Sequence, residues 1–353
     1  MPRGRFQSPV QGALTGVLEL IRKTPEIRPL TEEDRLDGQT AMITGSTSGV
    51  GLAVAREFHR RGAHVIIVGR RGLDEARAHV AESGGGGEIY ALKADLADLR
   101  DIDALVDTLS SQRLTLDVLV DNAGVASPRS VETPQGLEEM FTINVLAKAA
   151  LLEQLLGREV LRVDAAASGS DARVPRIIYT SSDSHQGAQA VEVESLGVDG
   201  NFNATGGIHR YSYYKLVLNT WATEVARRLA HPSLRASVHC VCPGPVNTNI
   251  IRDAPPALRT VLKGIFSLFF MAPERSTPPF VYFAAAEETR GTTNRYLHMR
   301  RPKRMDEKCY DAGAGAAVLE RLEVLLAEIH DRAGIARGLP LTTLSSAGGA
   351  SVG

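Results

Sequence analysis

The chain is poor in cysteine: 353 residues carry only Cys240, Cys242 and Cys309. An odd, sparse set excludes the disulfide framework of a small secreted protein. Cys240 and Cys242 stand two apart in a strand-like run, so they should share one face as core thiols. A metal centre would need more ligands close by, and none is expected. Charge of one sign is lacking as well, with 40 Lys+Arg against 41 Asp+Glu and a net charge of -1. Without a basic excess, no nucleic-acid partner is expected. No stretch reaches the roughly 18 uncharged apolar residues of a membrane span. The N-terminal MPRGRFQSPVQGALTGVLELIRK has Glu19 inside its apolar run and no small-residue cleavage site. It reads as a short amphipathic appendage rather than a signal peptide, and the expected location is cytoplasmic.

What is present is ordinary globular material, with 43% hydrophobic and 23% charged residues. A chain this long can bury a large core without metal or disulfide staples. Residues 1–36 read as an extension, 37–333 as one domain, and 334–353 as a disordered tail. From Gln39 the pattern becomes regular. TAMITG (40–45), AHVIIVG (63–69), EIYALKAD (88–95), LDVLVDNAG (116–124), RIIYTSS (176–182) and ASVHCVCPG (236–244) read as strands. Helical stretches fall at 50–62, 73–83, 99–111, 134–157 and 209–230. This alternation predicts βαβ units. The fold class is therefore α/β, a single doubly wound parallel sheet of about seven strands with helices on both faces.

TGSTSGVG, from Thr44 to Gly51, follows the first strand and opens a helix. Gly45 permits a tight turn, Gly49 close approach of a pyrophosphate, and Gly51 close helix–strand packing. Ser46, Thr47, Ser48 and Val50 complete the loop, whose free N–H groups would favour a phosphate. The plainer reading is a glycine-rich turn. The second strand ends at Gly69-Arg70-Arg71, where an acid would bind an NAD ribose. Arg70 suits a 2′-phosphate instead, which predicts preference for NADP(H) over NAD(H); two solvated arginines are the alternative.

Tyr211 and Lys215 are spaced i, i+4, on one helical face. A nearby ammonium would bring the tyrosine pKa closer to neutral, as a proton donor to an alkoxide requires. Ser181 and Ser182 end a strand, where sheets of this kind bind ligands. Asn144 shares a face with Met140, Ala147 and Leu151, either as a satisfied core amide or as part of a proton relay.

Together these residues resemble the short-chain dehydrogenase/reductase family over roughly residues 36–335. The matched motifs are TGSTSGVG, Asp95-Leu96, DNAG (121–124), Asn144, Ser182, Tyr211-x-x-x-Lys215 and PGPVNT (243–248). The resemblance implies Tyr211 as general acid/base, Lys215 as the group that binds the nicotinamide ribose and lowers the tyrosine pKa, and Ser182 as the residue that orients the substrate carbonyl. It implies that Asn144 holds a water linking Lys215 to solvent. Asp95 and Leu96 would lie by the adenine, while Asn122, Ala123 and Gly124 would line the cofactor. Pro243, Gly244, Val246 and Thr248 would sit at its nicotinamide end. Arg70 and the 29-position spacing from Ser182 to Tyr211 resemble the retinol dehydrogenase and protochlorophyllide reductase subgroup. Asp121 departs from the usual Asn, and Tyr214 from the usual small residue before the lysine. The family also implies a homodimer or homotetramer.

Residues 258–271 carry Leu258, Val261, Leu262, Ile265, Phe266 and Phe269 at helical spacing. They predict a lid (about 250–275) over a lipophilic small molecule, retinoid-, steroid- or aldehyde-like. A dimer or core helix is the bland alternative, and Arg259 and Lys263 admit a third reading, peripheral membrane contact. The expected activity is carbonyl–alcohol interconversion. Reduction of an activated C=C bond and a non-catalytic NADP-binding regulator are the competing readings.

Overall fold

The computed structural model describes residues 25–163, 174–197, 202, 204–231, 234–244 and 272–344. Val246, Thr248, the 258–271 helix and most of the expected lid lie outside the described residues, as do 1–24 and 345–353.

The strands are β1 (Thr40–Thr44), β2 (His64–Gly69), β3 (Ile89–Lys93), β4 (Val118–Asp121), β5 (Arg176–Thr180), β6 (Ser237–Cys242), β7 (Arg295–His298) and β8 (Arg301–Lys303). They form one 8-stranded sheet in the order β3-β2-β1-β4-β5-β6-β7-β8. All neighbours are parallel except β7 and β8, which form an antiparallel edge. The expected six runs are all strands. β7 and β8 are added, in a charged segment (RYLHMRRPK) too short and polar to read as core.

Side-chain alternation gives each face its own core. Ile43, Val65, Ile67, Val120, Ile178, Val241 and Leu297 point to one side. There they meet Val54 and Phe58 of α1 (Gly49–Arg60), Ala76 and Val80 of α2 (Leu73–Ala81), and Phe280 and Phe283 of α6 (Pro278–Ala285). Met42, Ile66, Val68, Leu119, Ile177, Tyr179, Cys240 and Cys242 point to the other. That side is covered by α3 (Leu99–Ser111), α4 (Glu139–Gly157), α5 (Ala204–Arg228) and α7 (Ala312–Ala333). Cys240 and Cys242 thus share a face as free, buried thiols. By length and composition α4 could cross a membrane, yet 94% of its apolar window is buried here as a core helix.

No element was expected from the sequence at α7, although Val318, Leu319, Leu322, Leu325, Leu326 and Ile329 follow helical spacing and are all buried. Gly334, with φ 66, ends it. Beyond, the expected disorder does not begin at once. Leu339 N donates to Glu153 O at 2.9 Å, Gln154 Nε2 donates to Ala336 O at 2.6 Å, and Leu341 is buried. At the other end Ile27 is buried and its N–H donates to Arg300 O at 2.7 Å. Arg28 bridges Asp34 and Glu288. These apolar anchors hold segments whose composition alone reads as appendage.

His239 of β6 stacks on Phe283 with centroids 4.1 Å apart, and its Nδ1 accepts from Arg295 N at 3.3 Å. Burial, with Arg176 and Arg295 nearby, pushes its pKa down to about 3. The unfolded chain therefore binds a proton that the folded one refuses between about pH 6.5 and 3. Stability falls as pH drops through that window, by up to about 1.4 kcal/mol per pH unit. Urea titrations of wild type and His239→Phe should differ by this slope, and identical slopes would show that His239 does not titrate.

Candidate active site

Strand order reverses at β1, with β2 and β3 on one side and β4 onward on the other. Connections leaving the carboxyl ends of β1 and β4 diverge and leave a crevice. A cleft of about 560 Å³ opens there, lined by the loops after β1, β2, β3, β4, β5 and β6.

In the first loop Gly45 and Gly49 have φ 62 and 57, a region favoured by glycine. A Cβ on Gly51 would lie 2.4 Å from the Gly45 carbonyl oxygen, so glycine here lets the helix meet the strand end. Ser46 does not line the cleft. It is buried, its hydroxyl donating to Ile43 O at 2.7 Å and accepting from Val68 N at 2.9 Å. Thr47, Ser48 and Val50 do line it. Ser48 caps α1 without a side-chain bond, which leaves first-turn N–H groups for an anion in the cleft. This loop fits the pyrophosphate of a dinucleotide.

Arg70 stands at the rim, its side chain 42% exposed. Its Nη1 lies 3.4 Å from Asp95 Oδ2 and 3.9 Å from Glu139 Oε1. Asp95, Leu96, Asn122, Ala123, Gly124, Pro243 and Gly244 all line the same cleft. Asn122 Nδ2 donates to Thr44 O at 3.0 Å, and Ala123 N to Thr44 Oγ1 at 2.9 Å, tying the β4 loop to β1.

Tyr211 and Lys215 of α5 meet Ser182 at the carboxyl end of β5. Lys215 Nζ donates to Thr180 O at 2.9 Å and lies 5.5 Å from the Tyr211 ring centroid. Ser182 and Tyr211 line the same cleft, and the Ser182 hydroxyl accepts from Ser184 N at 3.3 Å. Ser181 points elsewhere, donating to Asn219 Oδ1 at 2.7 Å. Burial pushes the Lys215 pKa down to about 7, aided by the charge of Lys148 and opposed by Asp121. Burial raises the Tyr211 pKa, reinforced by the Cys242 thiol and opposed by Ser182. The tyrosine thus shifts opposite to the expectation from its lysine neighbour, because desolvation dominates.

Asn144 lies on a π-helical turn, Thr142–Leu146, inside α4. Such turns re-aim one side chain and recur at functional sites. Its Nδ2 donates to Val125 O at 2.7 Å and to Met140 O at 2.9 Å, while Oδ1 is buried without a hydrogen-bond partner among the described residues. A Cβ on Gly124 would sit 2.8 Å from that oxygen and 3.5 Å from Lys215 Nζ. The amide is therefore half satisfied, with its open acceptor beside the lysine.

Several lining groups were not expected from the sequence, among them the Thr180 carbonyl, Glu139 and Cys242. Lys148, buried beneath the floor, was also missed, although a lysine within the apolar run LAKAALLEQLL is itself a signal that a partner must exist.

A family model described as short chain dehydrogenase matches residues 39–258. A mouse polyprenol dehydrogenase is 32% identical over 269 residues, 74% of this chain and 75% of its own. Mouse retinol dehydrogenase 14 is 29% identical over 308 residues, 82% of this chain and 86% of its own. Among solved structures, an angucycline C-6 ketoreductase with bound NADP superposes with a TM-score of 0.54 at 26% identity, covering 75% of this chain and 95% of that one.

Gly51→Ala should force the α1 N-terminus away from Gly45 and lower stability by about 1–3 kcal/mol in a denaturant titration. An unchanged midpoint would show that the loop relaxes freely.

Proposed function

The chain belongs to the short-chain dehydrogenase family, and from that premise we propose an NADP(H)-dependent oxidoreductase that interconverts a carbonyl and an alcohol on a lipophilic substrate. The observation that carries the chemistry is the Ser182–Tyr211–Lys215 cluster at the floor of a cleft that also holds the phosphate-type loop. Its completeness favours a catalyst over a regulator.

The loop from Gly45 to Gly51 would seat the pyrophosphate, Asp95 and Leu96 would border the adenine, and Asn122 to Gly124 with Pro243 and Gly244 would flank the remainder. A bound nicotinamide supplies or accepts the hydride. Ser182 orients the substrate oxygen. Tyr211 gives that oxygen a proton in reduction and removes it in oxidation. Lys215 holds positive charge beside the tyrosine and favours its phenolate. The unpaired Asn144 Oδ1 beside Lys215 supports a water-held proton path rather than a closed core amide.

NADP(H) over NAD(H) rests on Arg70 at the end of β2 and on the NADP bound by the related ketoreductase. A lipophilic substrate rests on the apolar 258–271 segment and on relatives named for polyprenol and retinol. The location is cytoplasmic, with peripheral membrane contact through 258–271. Residues 37–333 form the catalytic domain, with a homodimer or homotetramer as the working assembly.

Following nicotinamide fluorescence, NADPH should bind tightly and NADH weakly. Arg70→Ala should weaken NADPH by at least about tenfold with little effect on NADH. Equal affinities would reduce Arg70 to a solvated rim charge. Tyr211→Phe should lower turnover of a lipophilic aldehyde by about 100-fold or more while cofactor affinity holds; undiminished turnover would remove Tyr211 from the chemistry.

A further inference from the structure

Beneath the cleft floor, α4 carries Lys148, four residues after Asn144 and only 1% exposed. Its Nζ donates to Asp121 Oδ1 at 2.9 Å, Asp121 O at 3.1 Å and Ala123 O at 2.9 Å. All three ammonium protons are thereby used. Asp121 Oδ1 also accepts from the Thr44 hydroxyl at 2.7 Å, and Thr44 Oγ1 accepts from Ala123 N at 2.9 Å. These bonds close a ring around the turn that carries Asn122 and Ala123 into the cleft. The second carboxylate oxygen of Asp121 has no hydrogen-bond partner among the described residues, so this buried charge depends on Lys148.

A buried ion pair is weak evidence for stability, because apolar residues of the same volume often do as well. Its retention here needs another reason, and its position supplies one. Lys215 is faced by Lys148 from α4, Asp121 from β4, the Cys240 and Cys242 thiols from β6, and the Tyr211 ring on its own helix. Lys148 outweighs Asp121 in its effect on Lys215.

We propose that Lys148 and Asp121 form a positioning pair that holds the Asn122–Ala123 turn against β1 and sets the electrostatic field at Lys215. The role at Lys215 rests on the reading of that residue as part of the reactive cluster. The two effects separate on substitution. Lys148→Met leaves the buried carboxylate with only the Thr44 hydroxyl as donor and loosens the turn. Adding Asp121→Asn removes that charge and restores a neutral, hydrogen-bonded floor, but the positive charge near Lys215 stays absent.

The chain has seven lysines, few enough for each to be followed by NMR after labelling with ¹³Cε-lysine. The Lys215 signal is identified by its loss in Lys215→Met. Lys148→Met should weaken NADPH binding by at least about tenfold. The double variant should recover NADPH affinity to within about threefold of wild type, yet Lys215 should titrate higher than in wild type, because the lost Lys148 charge outweighs the lost Asp121 charge. If Lys148→Met fails to fold, the double variant alone carries the comparison with wild type. Recovered binding with an unmoved Lys215 titration would make the pair merely structural and overturn the proposal, as would undiminished NADPH binding in a folded Lys148→Met protein. Turnover of retinal retained in Lys215→Met would instead sink the catalytic reading of Lys215, and leaves the two outcomes distinguishable.

Discussion

Parallel pairing of β1, β4, β5 and β6 is the constraint on which the site depends. Parallel strands in register must end on the same edge, and these do, from Thr44 through Asp121 and Thr180 to Cys242. Each connection then leaves from that edge, and each brings its own residues there: a glycine loop, an Asn-Ala-Gly turn, a serine pair, a Pro-Gly turn. Nothing else in the chain would place residues two hundred positions apart around one cleft. The helices that cover the faces complete the arrangement, because α5 runs past the end of β5 and delivers Tyr211 and Lys215 to its terminal carbonyl.

The chemistry of the cleft follows from burying charge at this edge. Lys215 and Lys148 are both nearly inaccessible, and both spend their protons on backbone carbonyls at strand ends. Those carbonyls are available because a parallel strand's last residues run out of neighbours to pair with. The same burial that lowers the Lys215 pKa raises that of Tyr211, so the protein moves its acid and its ammonium in opposite directions from their ordinary values. The rim behaves differently. Arg70, 42% exposed and flanked by Asp95 and Glu139, is screened by solvent and free to re-pair.

Much of this is legible in the chain's own pattern. Alternation and β-branched runs mark six strands, because a strand buried on both faces must be apolar along its length. TGSTSGVG is legible because only glycine fits where the backbone needs positive φ or a Cβ would strike a carbonyl. Motif residues as far apart as Gly45, Asp95, Ser182 and Gly244 line one cleft, whereas Ser46 turns into the core beside it. Among the elements that escape, β7 and β8 are short and charged, β7 depending on its pairing with β6 and β8 on its pairing with β7 rather than on their own pattern. The segments at 25–36 and 335–344 have the composition of appendages, and only their docking partners reveal a packed role.

The sequence by itself determined the local alphabet: which stretches pair as strands, where the chain turns, which polar side chains share a helical face or stand at a strand end. These are properties of near neighbours, set by propensity, periodicity and steric need. The tertiary structure alone decided which polar groups are desolvated together. It separated Ser181, whose hydroxyl is bonded to Asn219, from Ser182, which lines the cleft with Tyr211. It left Asn144 Oδ1 unpaired beside Lys215 and set Lys148 against Asp121. The physical reason is that desolvation and Coulomb interaction depend on distance through space, and no spacing along the chain encodes that distance.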